Sequence, residues 1–137
     1  MIKILIMTVI LMSNNLNAFA NASNEKSAVE KTISDARWQK RIILLFDDKE
    51  YVAQKQLKQW EKVDFDEWDI LTIQISLDNA QLRQKYQVAE NKTISILIGK
   101  DGTEKWRSNH LVEFNELEKL IDKMPMRQNE KSFNNKR

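Results

Sequence analysis

Arg41-Ile42-Ile43-Leu44-Leu45-Phe46 is an unbroken apolar run opened by an arginine and closed by Asp47 and Asp48. A strand with one wet face alternates apolar and polar residues; this one is apolar on both faces and therefore needs a sheet covered on both sides. Helices are what cover a sheet that way, so the run points to an α/β fold. At 137 residues the chain has room for one such domain.

The rest of the chain supplies the partners this strand needs. Residues 49–62 are rich in Gln, Lys, Glu and Leu, good helix formers, and begin after two aspartates suited to capping a helix N-terminus. Residues 69–75 are rich in β-branched side chains and read as a second strand, and Asp78 or Asn79 opens a short helix reaching Tyr86. A third strand spans 94–98, then Gly99-Lys100-Asp101-Gly102 holds both glycines of the chain, expected to supply the positive φ angles of a tight hairpin turn. Residues 103–107 form the returning strand, with Lys105 and Arg107 expected on one face and Glu104 and Trp106 on the other. Phe114, Leu117, Leu120 and Ile121 then mark an amphipathic helix over 113–124 that Pro125, the only proline, closes. Summed, this is a βαβ unit, a β-hairpin and a C-terminal helix around a central four-stranded mixed sheet, the order of the minimal thioredoxin-like fold.

The two ends of the chain read differently. Lys3, the apolar residues 4–12 and Ala18-Phe19-Ala20 have the three parts of a secretory signal peptide, with cleavage expected after Ala20. The apolar run is shorter than the roughly 20 residues of a spanning helix, so no stable membrane anchor is expected after cleavage, and without cysteine there is no lipid anchor. Residues 21–36 are expected to be a polar leader with order beginning near Trp38, residues 37–127 the domain, and residues 128–137 a polar basic tail. Removing residues 1–20 leaves a formal net charge of +1 from the starting +2, which does not suit nucleic-acid binding.

Composition removes most catalytic options. There is no cysteine, hence no disulfide, thiolate nucleophile, thiolate zinc site or iron–sulfur cluster, and one histidine, His110, is too few for a His-based metal site. In thioredoxin-like enzymes the reactive thiols stand between the first strand and first helix; here that junction reads Phe46-Asp47-Asp48-Lys49-Glu50. Helix capping is the expected role of Asp47 and Asp48, and an acid/base pair or cation site the alternative. The segment before the third strand, Ala89-Glu90-Asn91-Lys92-Thr93, has no proline. No cofactor or metal is expected.

The blocks Trp38 to Phe46, Gly99-Lys100-Asp101-Gly102 with Lys105 and Arg107 behind it, and Ile121-Asp122-Lys123-Met124-Pro125-Met126-Arg127 resemble the signature of domain-of-unknown-function family 4174, also called P-DUDES. The resemblance runs from Trp38 to Arg127. It implies a thioredoxin-like or peroxiredoxin-like fold, and an exported module in bacteria or a domain of extracellular matrix-associated proteins in animals. An oxidoreductase role is suggested for that family by its fold, and this chain holds no thiol to carry it.

Among these residues Arg41, Lys105 and Arg107 are the candidate anion- or partner-binding group, on the expectation that the hairpin end meets the start of the first strand. The competing reading pairs them with Asp122 or Glu104, or with carbonyls at the last helix end. Trp38 and Trp106 are expected to pack at the core or its rim. Gly99, Lys100, Asp101 and Gly102 are read as the turn, and Asp122, Met124, Pro125, Met126 and Arg127 as a helix stop whose two thioethers lie on the sheet. The expected function is that of an exported, non-catalytic binding or scaffold module for an unknown protein or cell-envelope ligand. The alternatives are an oxidoreductase-related, peroxiredoxin-like protein acting through a partner's thiols and an anion-binding accessory protein.

Overall fold

The computed structural model describes residues 28–47, 51–76 and 78–136, with the backbone alone at Tyr51. The signal-peptide reading of residues 1–20 therefore lies outside the described residues. A helix over residues 28–36 (α1) leads into β1 (Arg41–Phe46), α2 (Tyr51–Gln59), β2 (Ile70–Ile75), α3 (Ala80–Lys85), β3 (Ile94–Ile98), β4 (Glu104–Ser108), α4 (Phe114–Asp122) and α5 (Pro125–Asn134). The four strands form one mixed sheet in the order β2-β1-β3-β4. β1 pairs parallel to β2 and antiparallel to β3, and β3 antiparallel to β4.

Strand β1 is central and every one of its residues is buried, as an apolar run with no polar face requires. Its alternate residues feed two separate cores. Ile43 and Leu45 join Leu97 beneath Ala53 of α2 and Leu117 and Ile121 of α4, with Trp60, Trp68 and Val112 completing that layer. Ile42, Leu44 and Phe46 join Ile96 and Ile98 on the other face, beneath Ala36 of α1 and Leu82 of α3.

The stretch expected to be a leader thus contributes a covering helix. Val29, Ile33 and Ala36, spaced i, i+4, i+7, all lie against the second core. Their period is masked by the polar residues between them. The far end differs from expectation in the same way: Pro125 ends α4 and also begins α5, whose first helical position needs no backbone N–H. Residues expected to be a tail are helical through Asn134, and Arg127 is buried.

In the hairpin turn only Gly102 has a positive φ, at 82°. Gly99 has no positive φ, and a Cβ there would come within 2.6 Å of Lys105 Cε, so the flexible lysine side chain would have to move. Trp106 packs against the first core as expected. Trp38 does not pack as expected: it is 59% exposed with φ of 70°, a left-handed conformation unusual for a bulky residue.

Candidate functional site

The two ends of β1 hold most of the buried polar groups, and they are built differently. At the C-terminal end stands Asp47, 1% exposed. One of its carboxylate oxygens accepts from the Ala53 backbone N–H in the first turn of α2 (2.6 Å) and the other from Thr93 Oγ1 (2.9 Å). The capping role expected from the sequence is what Asp47 performs; Asp48 lies outside the described residues. Arg83, also buried, closes the junction from α3 by donating to the carbonyls of Asp47 (2.6 Å), Ala89 (2.9 Å) and Lys92 (3.1 Å). Its guanidinium also lies 5.8 Å from the centre of the Phe46 ring.

A small open pocket adjoins this end and is lined by Leu45, Gln56, Thr93, Ser95, Ser108 and His110 among others. Ser108 Oγ is 3.1 Å from His110 Nδ1, but it also receives the His110 backbone N–H. Among the described residues no carboxylate hydrogen-bonds the imidazole, so nothing there orients it as a base. Nor does any cluster of the described residues match a metal-ligand set.

The N-terminal end of β1 is a charge cluster. Arg41, 1% exposed, donates from Nη1 to the Trp68 carbonyl (2.8 Å) and grips Glu130 of α5 through Nη1 (3.3 Å) and Nη2 (3.1 Å). Lys100 Nζ, from the hairpin turn, reaches Glu130 Oε1 (2.6 Å) and Asp69 Oδ2 (2.8 Å). Arg127 places Nη1 at 3.6 Å from Glu130 Oε2 while donating to the Glu67 carbonyl and stacking 4.2 Å above the Trp68 ring. Lys40 adds an ion pair to Asp69, and Asp122 pairs with Lys131 at 2.6 Å and Arg127 at 3.6 Å.

Burial pushes the Glu130 carboxyl up, but hydrogen bonds and charge from Lys100 and Arg41 outweigh it and hold it below its ordinary value. Asp69 behaves likewise: burial raises it, and Lys100, Lys40 and Arg41 bring it down overall.

The structure does not bring Arg41, Lys105 and Arg107 together. A β-bulge is the reason: Leu97 pairs with Trp106 and Ile98 with Glu104, which leaves Lys105 as the extra residue. The bulge resets the alternation of β4. Lys105 turns back to Asp101 (2.8 Å), drawing that carboxyl down to about 2 with help from the Thr103 backbone N–H. Arg107 then shares a side with Glu104, and the two pair at 2.5 and 2.8 Å while Arg107 also donates to the Tyr86 carbonyl.

Of the three cations expected to converge, Arg41 alone sits in a cluster, and its companions are Lys100 and Arg127. The residue that sequence reading missed is Glu130, since it sits in what reads as a polar tail. Met124 packs on the first core, whereas Met126 joins neither core.

The model of the family described as "Domain of unknown function (DUF4174)" matches residues 32–130. A solved structure described as that of a malarial protein is similar, at 27% identity with a TM-score of 0.50, covering 61% of this chain and 96% of the malarial one. No curated protein matches the chain.

Proposed function

The chain belongs to the DUF4174 family, and from that premise we propose that it is an exported, non-catalytic binding or scaffold module on a thioredoxin-like fold. The β2-β1-β3-β4 order, with β2 parallel and β3 antiparallel to β1, supports the thioredoxin-like reading. Export is supported by the three-part pattern of residues 1–20.

The observation that carries the non-catalytic reading is the state of Asp47. A thioredoxin-like enzyme keeps a reactive group free where β1 ends. Here both carboxylate oxygens are taken by Ala53 and Thr93, and the chain has no thiol to stand in their place. Buried and committed to holding a helix and a loop, that carboxylate is not presented to a substrate.

The partner fits the class of an envelope protein or ligand. With the chain close to neutral overall, recognition rests on local charge rather than on a field that would gather nucleic acid. The test is a peroxide-reduction and insulin-reduction assay on the purified chain beside cross-linking to envelope extract. Flat assays with a saturable cross-linked partner are expected. Turnover above the protein-free rate would overturn the reading.

A further inference from the structure

α5 meets the domain largely through its charged side chains. Its apolar residues Met126 and Phe133 join neither core, and Phe133 is 72% exposed. What holds the helix is Arg127 on the Trp68 ring and the Glu67 carbonyl, Lys131 on Asp122, and Glu130 between Arg41 and Lys100.

The arrangement around Glu130 is that of a liganded oxyanion. Three buried cations from three places in the chain, Arg41, Lys100 and Arg127, converge on one carboxylate that is itself 20% exposed. Arg41 presents the two-pronged fork that suits a carboxylate. The cluster is also cation-rich: Lys40, Arg41, Lys100, Arg127 and Lys131 face Asp69, Asp122 and Glu130. The Nε–H groups of Arg41 and Arg127 are buried without a hydrogen bond, as is that of Arg83 at the other end of β1, and the Arg127 Nε lies 3.6 Å from Asp122 Oδ1.

We propose that Arg41, Lys100 and Arg127 form a carboxylate-recognition socket, that Glu130 occupies it in cis, and that the carboxylate of an acidic peptide segment displaces Glu130 on binding. This rests on the binding-module reading and supplies its contact point. Displacement needs little motion, because Arg127 remains anchored on Trp68 while the Glu130 side chain swings out or the later turns of α5 lift. With Glu130 gone, five cations face two carboxylates, a charge excess that the incoming group then neutralises. The rim carries exposed Trp38, whose backbone N–H donates to the Lys100 carbonyl at 2.6 Å, and Arg37 stacked on it. A tethered carboxylate competes at high effective concentration, so the native chain binds a free one weakly.

The test is an amide and arginine Nε–H NMR titration of the full chain with glutarate, and in parallel with inorganic phosphate. For Glu130→Gln, with its fold checked by circular dichroism, glutarate affinity is expected to rise at least tenfold over the native chain, and a second change, Lys100→Gln, to abolish that gain. Glutarate is also expected to move the Arg41 Nε–H signal and the α5 amides of the native chain together. That arm decides the matter should Glu130→Gln fold poorly. Unchanged affinity in a folded Glu130→Gln, a native chain whose Arg41 and α5 signals do not respond, or phosphate binding as tightly as glutarate would each overturn the proposal. A chain that binds glutarate this way but cross-links no envelope partner would leave the socket standing and remove the module reading instead.

Discussion

Strand β1 is flanked by two polar clusters that do opposite work. At its C-terminal end, Asp47, Thr93, Arg83 and the N-terminus of α2 are hydrogen-bonded to one another across several elements. Most of those bonds run to backbone atoms, which cannot be moved without unfolding the loop that carries them. At its N-terminal end, Arg41, Lys100 and Arg127 meet a side chain, Glu130, on a helix that brings no apolar residue to either core. A buried cluster closed mostly on backbone is a lock; one whose cations, beside their own bonds to Trp68, Glu67 and Asp69, share the carboxylate of a peripheral helix can open. The usual site of thioredoxin-like chemistry is thus the fixed end here, and the exchangeable end lies at the opposite end of the same strand.

Substitutions that break this contrast rank by how much buried charge they strand. Arg41→Met leaves the partly buried Glu130 carboxylate without its fork and the Trp68 carbonyl without its donor, and is expected to cost about 3–5 kcal/mol in chemical denaturation. At the other end, Asp47→Ala removes a helix cap and the acceptor of Thr93, for an expected loss of about 1–3 kcal/mol.

Acid sharpens the comparison. Glu130 and Asp69 have folded-state values below their ordinary 4.5 and 3.8. Their contribution is therefore full above those values and is lost as pH falls through the lower folded ones. Helical signal from α5 is expected to fall below pH 4.5, before the sheet unfolds, as read by circular dichroism against tryptophan fluorescence. The smallest effects belong to Lys105→Ala and Arg107→Ala. Their pairs with Asp101 and Glu104 are a third exposed, and a loss of under about 1 kcal/mol each is expected.

The sheet was legible because its signals are local. The apolar run of β1, the β-branched β2 and the glycine turn each declare themselves within a few residues, and β1 and β3 fall where the sequence places them. α1 was not legible, because Val29, Ile33 and Ala36 are diluted by polar neighbours and gain meaning only against the exposed face of a sheet formed later in the chain. The charge cluster was half legible. Arg41 opening a buried strand marked it, but its partners depend on a bulge that turns Lys105 away and on a helix that places Glu130 89 residues downstream. Pairing between distant charges leaves no spacing to read.

The contrast between a fixed and a releasable end is tested most directly by residue-resolved amide hydrogen exchange at low and high sodium chloride. Salt screens the partly exposed pairs that hold α5, Lys131 with Asp122 above all, and barely weakens bonds to backbone in the interior. Exchange of the α5 amides is expected to accelerate with salt while the Ala53 amide and those of β1 keep their protection. Equal response at both ends, or protection of α5 that salt leaves unchanged, would contradict the account.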